Sequence, residues 1–123
     1  MPGWRAVLDR VRRRVEGVGV PSIEQLRAML DKQPGDAFLL YGLAQEYAKA
    51  REHARAVEHY RLCLASDAAY CYAYFHMARS QMEMGDDAGA IESLREGAEA
   101  ARRAGDEKAR GEVLALLDTI EQP

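Results

Sequence analysis

Apolar residues recur every three or four positions along most of this chain, the spacing of amphipathic helices. Trp4, Leu8, Val11 and Val15 form one such stripe and predict a first helix over about 4–16. Gly17, Gly19 and Pro21 end it, because glycine frees the backbone and proline cannot continue a helix. Ser22 opens a second helix with Gln25 as the other half of a capping box. Ile23, Leu26, Met29 and Leu30 are its buried face, and Pro34-Gly35 closes it. Asp36 caps a third helix over about 37–50, and a fourth runs over about 52–65. A fifth, capped by Asp67, covers about 69–84, and the turn at Gly85-Asp86 leads into a sixth over about 87–104. After Gly105-Asp106, the seventh helix carries Ala109, Val113, Leu116, Leu117 and Ile120 on one side. Prolines at 2, 21, 34 and 123 stand outside the periodic segments, and β-branched residues do not alternate, so no strand is predicted. The connections are short, which makes successive helices antiparallel neighbours.

The pattern also repeats after 34 residues. Leu43-Ala44-x2-Tyr47 returns as Met77-Ala78-x2-Gln81, and Ala56-Val57-Glu58-x-Tyr60-x2-Cys63 returns as Ala90-Ile91-Glu92-x-Leu94-x2-Gly97. A period of this length marks stacked repeats. One helix pair cannot bury its own apolar face, so neighbouring pairs must stack. Ala44, Ala56, Ala78 and Ala90 fall where helices approach closely, and the bulky residues between them fill the space to the next pair.

Residues 37–104 resemble two tetratricopeptide repeats (TPRs). Leu40, Leu43, Ala44, Tyr47, Ala56, Tyr60 and Cys63 occupy the signature places of the first, and Tyr74, Met77, Ala78, Gln81, Ala90, Leu94 and Gly97 those of the second. The resemblance implies an all-α fold: a right-handed TPR-like superhelix of antiparallel helix pairs with capping terminal helices. It divides the chain into an N-terminal basic amphipathic helix and linker (1–21) and a TPR-like domain (22–123). Within that domain lie a degenerate half repeat (22–35), repeat 1 (37–70), repeat 2 (71–104) and a C-terminal capping helix (105–123). Three departures stand out. Arg51 takes the turn position that Gly85 fills in the second repeat, Ala68 replaces the expected proline, and Gln81 replaces a tyrosine.

The family uses the first helix of each pair to line an inner groove, which implies a non-catalytic adaptor or assembly module that binds a protein or peptide. Carried over by position, the peptide-binding residues are Tyr41, Gln45, Lys49, Tyr72, Phe75, Arg79 and Met82, with Ala48, His76 and Glu83 beside them. The aromatics would bury area, and Lys49 and Arg79 would hold acidic or carbonyl groups. The same residues have a second reading as core, with the terminal helices folded over the groove. Another alternative is a structural module whose surface makes a homodimer. The chain has no asparagine, so the family's asparagine–lysine clamp for a chaperone's C-terminal carboxylate is absent.

Composition narrows the field further. A length of 123 residues fits one domain, and the formal net charge of -3 argues against nucleic acid as a partner. The two cysteines make no disulfide framework, which fits a reducing cytoplasmic setting. No apolar run reaches the ~20 residues needed to span a bilayer, and Arg12-Arg13-Arg14 interrupts any signal-like stretch. With Arg5 and Arg10, these arginines make the first helix locally basic; it is expected to cap the stack, with attachment to an anionic membrane surface as the lesser alternative. His59 and Cys63 share a helix face but lack the further ligands of a metal site, so no metal or cofactor is expected. No phosphate loop, H-E-x-x-H or nucleophile elbow is present, and no enzymatic activity is expected.

Overall fold

Ser22 and Gln25 form the expected capping box. The Gln25 amide donates to Ser22 Oγ at 3.2 Å and the Ser22 amide to Gln25 Oε1 at 2.8 Å. The helix they start is α1 (Ile23–Lys32) in a computed structural model that describes residues 21–121 and, before them, Val7 alone. The first predicted helix and its arginines therefore lie outside the described residues. After α1 come α2 (Ala37–Lys49), α3 (His53–Ser66), α4 (Cys71–Glu83), α5 (Asp87–Ala104) and α6 (Glu107–Glu121), with no strand among the described residues. Asp36, Asp86 and Asp106 accept from the amides of Leu39, Gly89 and Ala109, each three residues on, at 3.0, 2.9 and 3.0 Å.

Asp67 behaves differently from its predicted role. Its Oδ1 accepts from the Ala69 amide at 3.0 Å and its carbonyl from the Tyr70 amide at 3.1 Å. That local turn delays α4 to Cys71, with Tyr70 as an N-cap whose side chain makes no capping bond.

The 34-residue period reappears in the backbone. The Glu52 amide bonds the Tyr47 carbonyl at 2.9 Å and the Asp86 amide bonds the Gln81 carbonyl at 2.8 Å. Between them Arg51 and Gly85 hold φ of 63° and 78°, the left-handed conformation that closes each helical hairpin. Arg51 thus occupies a glycine position at a steric cost of about 1 kcal/mol. Arg51→Gly is expected to leave the urea unfolding midpoint unchanged or to raise it, since relief of that strain offsets glycine's larger backbone entropy. A clear fall in the midpoint would mean that the Arg51 side chain contributes contacts of its own.

Each helix packs on its sequence neighbours, and the inner helix α4 also touches α2 and α6. Ala44, Ala56, Ala78 and Ala90 are fully buried at the helix crossings. One apolar cluster joins α1 to α4 through Leu26, Leu43, Tyr47, Tyr60 and Met77, and another joins α4, α5 and α6 through Ala78, Leu94, Val113 and Leu117. At one pair of equivalent positions the two repeats differ in chemistry. The Tyr47 ring lies 5.0 Å from the His59 ring in the first, while in the second the Ser93 hydroxyl donates to Gln81 Oε1 at 2.7 Å. The buried Gln81 is therefore satisfied, which is why this substitution is tolerated in the core.

Candidate functional site

The stacking of α2, α4 and α6 brings Tyr41, the start of α4 and the start of α6 together around a cleft of about 610 Å³. Tyr41 stands on α2 and His76 on α4, while Asp67, Ala69 and Tyr70 come from the α3–α4 connection. Cys71 and Tyr72 open α4, and Asp106 and Lys108 close the cleft from the start of α6.

Its wall is an aromatic assembly. The Tyr41 and Tyr70 rings lie 4.8 Å apart at 32°, and Tyr41 meets His76 at 6.0 Å and 65°. Behind them, Tyr60 lies 6.0 Å from Tyr41 and 6.5 Å from His76, and its hydroxyl donates to Gln45. Burial pushes the Tyr41, Tyr60 and Tyr70 phenols up, so all three stay protonated near neutral pH. The Tyr72 phenol is raised too, by its desolvation and the Glu112 carboxylate beside it.

Burial lowers the His76 pKa, and the neighbouring Arg79 charge lowers it further, although Glu112 pulls the other way. His76 is therefore neutral at pH 7. The unfolded chain binds a proton at His76 more readily than the folded one. Stability is thus expected to fall as pH drops below about 6.5, the ordinary histidine value, and His76→Phe should flatten that slope in urea titrations run at several pH values.

Both thiols near the cleft are held in their protonated form. Burial, with the Asp67 charge adding to it, pushes the Cys63 thiol up to about 12, and burial raises Cys71 as well. The Cys71 thiol also donates to the Ala69 carbonyl at 3.3 Å.

The structure divides the residues carried over to the groove. Tyr41 and Tyr72 line the cleft together with His76. Gln45 lies behind it as the acceptor of the Tyr60 hydroxyl, and Lys49 is exposed and paired with Glu46 at 3.1 Å. Arg79 is exposed on α4, near enough to His76 to act on its charge. Phe75 and Met82 pack against the cluster holding Val113 and Leu117, so the last helix covers that end of the strip. Of the metal candidates, His59 Nδ1 sits 2.8 Å from the Arg55 carbonyl and Cys63 is fully buried. Asp67, Tyr70, Asp106 and Lys108 were not among the groove residues, because the family's positions lie along first helices, while Asp67 ends α3, Tyr70 precedes α4, and Asp106 and Lys108 stand at the start of α6. The cluster Tyr70-Cys71-Tyr72 was the visible signal.

Three solved structures are similar to this chain in fold. Protein BPP2914 from Bordetella parapertussis is similar with a TM-score of 0.71 and 28% identity, over 81% of this chain and 87% of its own. A tetratricopeptide repeat domain protein from Salinibacter ruber is similar with a TM-score of 0.65 and 28% identity, over 70% of this chain and 96% of its own. MamA matches with a TM-score of 0.60 and 18% identity, over 81% of this chain and 65% of its own, which speaks to fold alone. No protein-family model matches the chain, and no relative was found among curated proteins.

Proposed function

Because the fold is that of a TPR-like stack of helix pairs, a protein-interaction architecture in general, we propose that this chain is a non-catalytic adaptor or assembly module that binds an extended segment of a protein partner in the Tyr41–Tyr72 cleft. The observation that carries this reading is the aromatic wall beside an open volume of about 610 Å³, large enough to bury side chains of a peptide. Tyrosines are strong anchors, since they bury much area and lose few rotors on binding. No helix among the described residues is long and apolar enough to cross a membrane. Among the described residues, the exposed large apolar side chains are scattered: Leu62 on α3, Met84 in the turn after α4 and Leu114 on α6.

Peptide display against the intact chain tests the reading. It should return binders whose affinity falls about tenfold or more in Tyr41→Ala/Tyr72→Ala, as loss of two aromatic anchors predicts, with helical circular dichroism unchanged. Binders indifferent to that pair would place recognition elsewhere. A dimer in sedimentation that Tyr72→Ala dissolves would instead support the homodimer reading.

A further inference from the structure

The charges around the cleft identify what it would hold. Asp67 and Asp106 reach it from two different connections, and both act on Cys71 between them. Each spends one oxygen on a backbone amide, Oδ1 of Asp67 on Ala69 and Oδ1 of Asp106 on Ala109, so both carboxylates are held in place. Neither forms an ion pair among the described residues. Asp36 adds its charge at Tyr70, and Glu112 adds its own at Tyr72. Among the described residues, Lys108 in the lining and Arg79 beside His76 stand against these four carboxylates. Clefts with one dominant sign of charge concentrate the opposite sign, and the electron-rich faces of tyrosine rings attract cations as well. Of the two cations expected to hold acidic or carbonyl groups, Lys49 is paired with Glu46, and neither Lys49 nor Arg79 lines the cleft.

We propose that the cleft recognises a basic segment of its protein partner by seating one arginine side chain, with its stem along Tyr41, Tyr70 and Tyr72 and its guanidinium at Asp67 and Asp106. This inference rests on the peptide-binding reading above and deepens it. Arginine suits the site better than lysine because its planar head stacks on aromatic faces and bonds carboxylates through two parallel N–H groups. Its apolar stem covers ring surface while the charge stays at the rim.

The test uses the intact chain and three pools of labelled random peptides that differ only in a fixed central residue: arginine, its neutral isostere citrulline, or glutamate. Fluorescence anisotropy should show the arginine pool bound about tenfold more tightly than the other two, as expected for one charge-assisted contact. The preference should weaken in added salt. Asp67→Asn/Asp106→Asn keeps both amide-accepting oxygens, so it should fold as the wild type does and lose most of the preference. Tyr41→Ala should weaken the arginine pool. Equal binding of arginine and citrulline, or a preference that survives the double asparagine variant, overturns the proposal. A glutamate pool bound most tightly and sensitive to Tyr41→Ala overturns it while leaving the peptide-binding reading intact. No binding by any pool, or binding indifferent to Tyr41→Ala, overturns both.

Discussion

Tyr60→Ala is expected to destabilise the chain by about 3–5 kcal/mol, a large part of the stability of an ordinary small domain. The ring is fully buried between the first helix pair and α4. It supports Tyr41 and His76, and its hydroxyl donates to Gln45. Truncation would therefore open a cavity, leave Gln45 without its donor and remove the backing of the cleft wall. Tyr60→Phe separates these effects. It keeps the ring and should cost only about 1 kcal/mol, the net worth of one hydrogen bond. Urea unfolding followed by circular dichroism measures both. An alanine variant as stable as the wild type would show that Tyr60 does not hold the first repeat to the second.

Gly97→Ala is expected to be the next most damaging change, although alanine is the better helix former. A Cβ at Gly97 would lie 2.6 Å from Cβ and 3.1 Å from Cγ of Tyr74. The Tyr74 Cβ is fixed by its backbone and cannot swing aside, so α4 and α5 must separate. Such overpacking costs about 3 kcal/mol, against about 1 kcal/mol from helix propensity. The net loss of about 2 kcal/mol should lower Tm by roughly 6–12 °C. Gly111 on α6 is the control, because a Cβ there meets nothing within 4 Å. Gly111→Ala should gain about 1 kcal/mol, so the same substitution has opposite signs at the two sites. Ala90→Leu tests the same packing of α4 on α5 and Ala56→Leu the equivalent close approach in the first helix pair, and each should cost ~1–3 kcal/mol. Equal melting of the two glycine variants would contradict the packing of α4 on α5.

Much of the fold was legible along the chain. Helix positions followed from apolar spacing, and Ser22-x2-Gln25 marked the start of α1 correctly because a capping box is a local bond pattern. Repetition of size at Ala44 and Ala78, and at Ala56 and Ala90, implied helix pairs that nest, since close crossings admit only small side chains. Arg51 was placed in the left-handed turn by its offset from Gly85, and its φ of 63° agrees. Asp67 was misplaced as a helix cap because its amide partner depends on a turn that competes with the helix start.

The candidate site was less legible, because its walls come from segments far apart in sequence. Residues 41, 70, 72 and 106 meet only when three helices stack, and no local pattern announces that meeting. Likewise, Tyr47 beside His59 and Gln81 beside Ser93 are equivalent pairs with different chemistry, visible only once helices face each other. The chain by itself determined helices, their hairpins and their repetition, because these depend on side-chain size and polarity at short range. Tertiary structure alone decided which groove residues line an opening and which pack against the last helix. All four are half-buried, but Phe75 and Met82 pack toward Val113 and Leu117 of α6, while Tyr41 and Tyr72 line the cleft left between α2, α4 and the start of α6.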